Sequence, residues 1–470
     1  MSVFRGPPAL VASFLGRRIT SCAIPGLFRP RRHQSTSGKI SDPLRILFCG
    51  SDEFSCRSLA ALQAERMSNP GLIKSIDVVI RPPKRFGRGL KETRTVPAAK
   101  LAESLQLPVH LRDTFTGWSM PTPGNEPINL IIAVSFGLFV PPRLLRAAKY
   151  GGLNVHPSLL PDFRGPAPLQ HAILNRRTHT GVSLQTLSEK TFDAGLVLAQ
   201  TEIPGVPIPP GATFADLYEQ FAALGAEMLV RGLRESVHVP PLRQVGWRPT
   251  ADEFQSLRHA PKLGTADRQV CWVGKGAWGA SDAVLRTRVT HVVWTRALDR
   301  DGAEKRMNFE GGLEVVPRNL WPQDAREFMR AVGQKVRIEI DRGVIQVEDE
   351  KGGVVETNDV GILGLKAVTW VQEDKSIGED GQNVATKREV TLPYFVDGES
   401  IIVPTVKGDC LRISNIKVEG ERSKPAARAI RAFSEDYTGH DDGKGFMGSL
   451  VDGLTLGVST PVAWLEEFLP

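Results

Sequence analysis

The stretch "LRILFCGSDEFSCRSLAAL", Leu44 to Leu62, is where the fold can first be read. Leu44 to Phe48 is a short apolar run, Gly50 permits a tight turn, and Ser51 or Asp52 can cap the helix that follows. Strand, turn and helix in that order open an α/β unit. Only one glycine stands where a dinucleotide-binding fingerprint needs three, so this turn is not such a site.

Similar runs recur downstream. "SIDVVI" (75–80), "NLIIAV" (129–134) and "GLNVHP" (152–157) read as further strands, and "GVSLQTL" (181–187) alternates like a fifth. Helical segments fall between several of them, which predicts a mostly parallel, doubly wound sheet. "TFADLYEQFAALGAEMLVRGL" (213–233) closes this domain. Thr213 with Asp216 has the form of a capping box, and its apolar residues recur near the helical period. "VHVPPLRQVGWRPTADEFQ" (237–255) carries three prolines and mixed polarity and reads as a linker.

Beyond it the pattern changes. "KVRIEIDRGVIQVEDEKGG" (335–353), "GILGLKAVTWVQ" (361–372), "REVTLPYF" (388–395), "SIIVPTV" (400–406) and "CLRISNIKVEG" (410–420) are short strands with frequent turn signals. That texture predicts a small β-barrel or sandwich. A chain of 470 residues is long enough for two or three domains. The expected division is 1–40 leader, 43–238 catalytic domain, 239–265 linker, 266–434 barrel domain with insertions and 435–470 tail.

The net charge of +7 is localised. Residues 1–40 hold Arg5, Arg17, Arg18, Arg29, Arg31, Arg32 and Lys39 and no acid, and without them 52 basic residues face 52 acidic ones. The rest of the chain is therefore neutral, and any affinity for anions has to come from local patches. An acid-free, Arg-rich, Ser-containing N-terminus has the composition of a mitochondrial transit peptide. No run approaches the ~20 apolar residues of a membrane span. The five cysteines lack CxxC spacing and neighbouring histidine pairs, which argues against structural zinc.

The chemistry-bearing residues begin at the end of the fourth strand, in "GGLNVHPSLLPDFRGPAPLQHAI" (151–173). Asn154 and His156 are two apart, so in an extended chain both project to one side. Pro157 biases His156 to that extended form. Strand C-terminal ends are where open α/β sheets bind ligands, and the prolines after His156 stiffen a wall beside it. An amide can donate to an oxygen that becomes anionic during acyl transfer. An imidazole can move a proton or stabilise the same oxygen. No G-x-S-x-G elbow is present, which disfavours a serine hydrolase. A carboxylate to orient the histidine is available at Asp193, in the turn "FDAG".

The longer string "NVHPSLLPDFRGPAPLQHAI…TGVSLQTL…FDAGLVLAQ" resembles the formyltransferases that use 10-formyltetrahydrofolate. The shared pattern is Asn-x-His, Ser-Leu-Leu-Pro, Arg-Gly, Ala-Pro and a distal Asp-x-Gly. "FCGSDEFS", "APKLGTADRQVCW" (260–272) and "GDCLRISNIKVEGERSKPAARAIRAF" (408–433) extend the likeness to the branch acting on aminoacylated tRNA. The resemblance implies a Rossmann-like formyltransferase domain followed by an OB-like β-barrel. It implies Asn154, His156 and Asp193 as catalytic residues, and Ser158, Leu159, Leu160, Pro161, Phe136 and Gly137 as the pocket for the folate co-substrate. It also implies methionyl initiator tRNA as partner, no metal, and a mitochondrial matrix location. A monomer is expected.

The basic loop "RPPKRFGRGLKETRTVPAAK" (81–100) follows the second strand and holds Arg81, Lys84, Arg85, Arg88, Lys91, Arg94 and Lys100 against Glu92 alone, the first five being the expected tRNA contacts. The family uses the equivalent loop at the acceptor end of tRNA. "RALDRDGAEKRMNFEGGLEVVPRNLWPQDAREF" (296–328) and "EDKSIGEDGQNVATKREV" (373–390) read as insertions, and Asp162 departs from the basic or neutral residue common at its position. Rival readings are formyl transfer to an amino sugar or nucleotide amine, hydrolysis of 10-formyltetrahydrofolate, and a non-catalytic tRNA-binding protein that kept the fold.

Overall fold

The computed structural model describes residues 39–86, 89, 92–273, 276–323, 325–326, 346–348, 354–356, 366–377, 383–405 and 407–436. The expected leader apart from Lys39 and Ile40, Arg88 and Lys91 of the basic loop, most of 335–353 and the tail from 437 lie outside the described residues. The chain divides into two compact units, Met1–Leu263 and Gly264–Pro470.

The first unit is built on β1 (Leu44–Gly50), the strand of the opening stretch. Six of its seven residues are buried, as a strand covered on both faces requires. Asp52 caps α1 (Glu53–Ser68) by accepting from the Ser55 amide. Then come β2 (Ile73–Ile80), the hairpin β3 (Lys84–Phe86) and β4 (Glu92–Arg94), α2 (Pro97–Ser104), β5 (Val109–Leu111), β6 (Leu130–Val134), α3 (Pro142–Ala147) and β7 (Gly152–His156). After these follow α4 (Pro168–Leu174), β8 (His179–Thr180), β9 (Ser183–Thr186), β10 (Val197–Gln200), β11 (Val206–Pro207), α5 (Phe214–Arg234) and α6 (Ala251–Ser256).

The main sheet has the order β10-β9-β7-β6-β1-β2-β5. β7, β6, β1, β2 and β5 are parallel, while β9 runs antiparallel to β7, and β10 to β9. The chain adds strands outward on one side of β1, then returns to its other side at β6. That reversal places the switch point between β1 and β6, where such sheets bind ligands.

α5 begins with the Thr213–Asp216 capping box and lies on one face of the sheet. Gly225 makes the close approach possible, because a Cβ there would meet Val155 at 2.7 Å. α1 packs on α5 through Phe54 and Tyr218, whose ring centroids are 5.7 Å apart, and through the Glu65–Arg234 ion pair. On the opposite face Leu47, Cys49, Val79, Ile131 and Ala133 form a core with Leu144 and Leu145 of α3.

A short strap, residues 39–43, ties the start of the described chain to this unit. Lys39 Nζ donates to the carbonyls of Val239 (3.0 Å) and Pro241 (2.7 Å), and Ser41 Oγ lies 2.9 Å from His238 Nε2. Burial, with the Lys39 charge nearby, lowers the His238 pKa to about 4. The native state thus resists a proton that the unfolded chain binds below about pH 6.5. Stability is full above that pH and should fall by about 3 kcal/mol as pH drops to 4. Urea unfolding at pH 7 and pH 4 checks this, and His238→Gln should flatten the difference. An equal slope in wild type and variant would contradict it.

The second unit contains α7 (Ala280–Thr290), β12 (Val293–Leu298), β13 (Glu304–Val316), a separate pair β14 (Gln346–Glu348) and β15 (Val354–Glu356), β16 (Lys366–Ile377), β17 (Asn383–Asp397), β18 (Ser400–Pro404), β19 (Cys410–Val418), β20 (Lys424–Pro425), α8 (Ala426–Ala429) and β21 (Ser434–Asp436). Its sheet runs β12-β13-β19-β18-β17-β16, and β12 also pairs with β16. The added pairing closes six antiparallel strands into a barrel, which removes its open edges. Trp272, Phe309 and Trp370 meet inside, with the two indoles 5.0 Å apart.

Both stretches expected as insertions carry strands of this sheet. Much of 296–328 is β12 and β13, two strands of the barrel wall. Gly311 and Gly312, both at positive φ, break the β13 register between Glu310 and Leu313. This bulge interrupts the alternation that marks a strand. Residues 373–377 and 383–390 belong to the paired strands β16 and β17, which stay in register to Ile377 opposite Asn383. Their polar composition hid a strand pair.

Candidate active site

Asn154 and His156 leave the C-terminal half of β7 on one face of the sheet. The register sets Asn154 opposite Gln185 and His156 opposite Ser183 on β9. Asn154 Nδ2 donates to the Ala133 carbonyl (2.9 Å), while its Oδ1 accepts from Gln185 Nε2 (3.1 Å). Gln185 Nε2 also donates to Asp193 Oδ1 (3.1 Å), and Gln185 Oε1 accepts from the Gly195 amide (3.2 Å). The backbone groups fix both amides, because Ala133 O can only accept and Gly195 N can only donate.

His156 is buried. Its Nε2 lies 3.0 Å from the Phe163 carbonyl and its Nδ1 3.4 Å from Asp193 Oδ1. Both ring nitrogens face oxygens. Asp193 Oδ2 accepts from the Gly165 amide (3.0 Å). Asp193 has φ 54°, in the left-handed region that Asp tolerates better than most residues. The predicted trio is therefore brought together, joined by Gln185 and by two backbone groups of the Phe163–Gly165 loop.

This loop is braced from behind. Asp162 Oδ1 accepts from the Arg258 amide (2.9 Å) and Oδ2 from Arg177 Nη2 (3.1 Å). Phe163 N donates to Arg258 O (2.8 Å), Ala260 N to Arg164 O (2.8 Å) and Ala167 N to Ala260 O (3.1 Å). Gly165 accepts this neighbour because a Cβ would sit 2.5 Å from Ala260 O. The C-terminal part of the segment expected as a linker, 239–265, is thus hydrogen-bonded along the loop from Asp162 to Ala167. Asp162, the residue out of pattern, joins that segment through its carboxylate.

The six residues expected around the folate fall into two sets. Ser158, Leu160 and Phe136 are buried, at 0%, 2% and 4% exposure, and lie behind the surface. The Ser158 hydroxyl donates to Asp162 O (2.6 Å), and Leu160 N donates to Ser183 Oγ (3.1 Å). Leu159, Pro161 and Gly137 keep accessible surface. Gly137 has φ 73°, with open space where a Cβ would stand. Asp52, at the end of β1, bonds to Ser55, Tyr218 and Ser135, and burial raises its pKa. That link joins the ends of β1 and β6.

Of the basic loop, Arg81 is paired: its Nη2 and Nε donate to Asp113 Oδ1 at 2.8 and 3.2 Å. Its charge is therefore offset by an acid 32 residues downstream that the local count missed. Lys84 and Arg85 lie on β3, where Lys84 stands opposite Arg94 and Arg85 opposite Thr93. Among the described residues no group of three or more His, Cys, Asp or Glu gathers to hold a metal ion. No described helix is long and apolar enough to cross a membrane.

The sequence missed Gln185, the Phe163 carbonyl and the Gly165 amide. Gln185 had a signal: it alternates with Leu184 and lies on a strand beside "NVH". The two backbone groups have none, because every residue carries them.

Comparison with known proteins gives the family. The formyl transferase family profile matches residues 44–233. A Saccharomyces cerevisiae protein named methionyl-tRNA formyltransferase, mitochondrial, is 36% identical over 295 residues, covering 56% of this chain and 71% of that one. Proteins of the same name from Mus musculus and Homo sapiens are 33% and 32% identical. The matches to those two cover 58% and 49% of this chain, and 64% and 53% of theirs. The chain belongs to the methionyl-tRNA formyltransferases, within the formyl transferase family.

Proposed function

We propose that this chain transfers the formyl group of 10-formyltetrahydrofolate to the α-amino group of methionine esterified to initiator tRNA, in the mitochondrial matrix. The observation that carries the reading is the connected set Asn154, His156 and Asp193 at the sheet's C-terminal edge. Asn154 has one N–H bonded to Ala133 O and a second left to donate to the formyl oxygen. That donor strengthens as the attacking amine turns the carbonyl tetrahedral and its oxygen anionic. His156, doubly protonated, adds positive charge beside the same oxygen. Asp193 holds the imidazole and, through water, helps carry the proton lost by the amine to the folate nitrogen released when its bond to carbon breaks.

Leu159, Pro161 and Gly137 supply the accessible wall for the folate, with Ser158, Leu160 and Phe136 behind them. The acid-free residues 1–40 and the mitochondrial names of the relatives support the location.

Arg81, Lys84, Arg85, Arg88 and Lys91 are the proposed tRNA contacts. The register opposes Lys84 to Arg94. Arg81, already paired with Asp113, should contribute less than the others.

Formylation assays with methionyl-tRNA and with an amino-sugar nucleotide test the acceptor. Methionyl-tRNA should be the better substrate, and preference for the sugar nucleotide would overturn the assignment. Arg85→Gln with Arg88→Gln should raise KM for tRNA several-fold and reduce its dependence on salt. An unchanged KM would return the loop to an ordinary solvated surface.

A further inference from the structure

We propose that Gln185 is a positioning residue for formyl transfer, one side-chain amide that ties the donor Asn154 to the carboxylate Asp193. The proposal rests on the transfer reading above and adds to it a residue outside the Asn-x-His and Asp-x-Gly pattern.

Gln185 is 1% exposed and stands directly opposite Asn154 in the β7–β9 ladder. Its Nε2 lies 3.1 Å from both Asn154 Oδ1 and Asp193 Oδ1, and its Oε1 3.2 Å from the Gly195 amide. Every polar atom of a buried side chain is therefore used, and two of its three partners belong to the catalytic set.

The consequence concerns which end of Asn154 faces the reacting oxygen. Turned by 180°, the Asn154 amide would set its oxygen against Ala133 O and its NH₂ against Gln185 Nε2. Each contact would then oppose like groups. Ala133 O and Gln185 together hold the amide with a donor free for the oxyanion, and Gln185 is itself held by Gly195 N. Catalysis by fixed donors depends on such prior orientation, because a donor that must reorient gives up part of its advantage. Through the same nitrogen Gln185 holds Asp193, which lies against the histidine. β9 is thus a source of order for the site as well as a sheet strand. The antiparallel pairing is what brings position 185 beside position 154.

A double-mutant cycle tests this role, with wild type, Gln185→Met, Asn154→Ala and the double variant assayed for formyl transfer to methionyl-tRNA. Met is close in size and cannot donate. Gln185→Met should lower kcat about tenfold or more with both KM values within about twofold. If Gln185 acts through Asn154, adding Gln185→Met to Asn154→Ala should cost much less than it costs alone. An unchanged kcat, or a loss that multiplies fully in the double variant, would overturn the proposal. Should Gln185→Met fail to fold, Gln185→Glu keeps the acceptor for Gly195 N while losing the donor. The same kcat loss and non-additivity are expected of it, and wild-type values would overturn the role. A wild type that does not formylate methionyl-tRNA would count against the transfer reading instead.

Discussion

His156→Ala is expected to lower kcat for formyl transfer by roughly 10²- to 10⁴-fold, the usual worth of a placed acid–base group. The imidazole is held between Asp193 and the Phe163 carbonyl. Removing it leaves Asp193 with the Gly165 and Gln185 donors alone. The loop itself should stay, because Asp162, Phe163, Arg164 and Ala167 are bonded to residues 258–260 independently of the histidine. Circular dichroism and the unfolding midpoint check that the fold persists. His156→Gln can still donate to Phe163 O but carries no charge, so it separates loss of charge from loss of packing. Near-normal kcat in either variant would remove His156 from the mechanism.

Asn154→Ala is expected to cost roughly 10²- to 10³-fold in kcat, or about 3 kcal/mol, with little change in either KM. The amide meets the oxygen only as its charge develops, so its loss should fall on the transition state rather than on substrate binding. The change also strips Ala133 O and Gln185 Nε2 of a partner, and some loss of stability should accompany it. Rapid-quench measurement of a single turnover reads the chemical step apart from product release. If KM rises and the single-turnover rate is preserved, Asn154 binds substrate rather than stabilising the oxyanion.

Much of this site can be read along the chain because it is local. Asn154 and His156 share a face because a strand has period two, and Pro157 keeps the histidine on that strand. Asp193 is recognisable once the loop, the following strand and the Asp-Ala-Gly turn occur in order. What escapes the sequence is non-local. The direction of β9 cannot be inferred from its own alternation, yet it decides that Gln185 stands opposite Asn154. The Arg258–Ala260 segment lies far along the chain from the loop it braces, so it passes for a linker. Arg81 looks free until Asp113 is brought beside it. In the second unit the Gly311–Gly312 bulge splits a barrel strand into two unconvincing halves. A continuous apolar run such as β1 suffers none of this, since burial on both faces is written in each residue.

The most direct measurement follows the formyl group itself. The protein is incubated with methionyl-tRNA and 10-formyltetrahydrofolate labelled in the formyl carbon. The label is then divided between N-formylmethionine on tRNA and free formate. Label should accumulate on tRNA with wild type and fall at least a hundredfold with His156→Ala. Release of the label as formate by the wild type, with none on tRNA, would contradict the account.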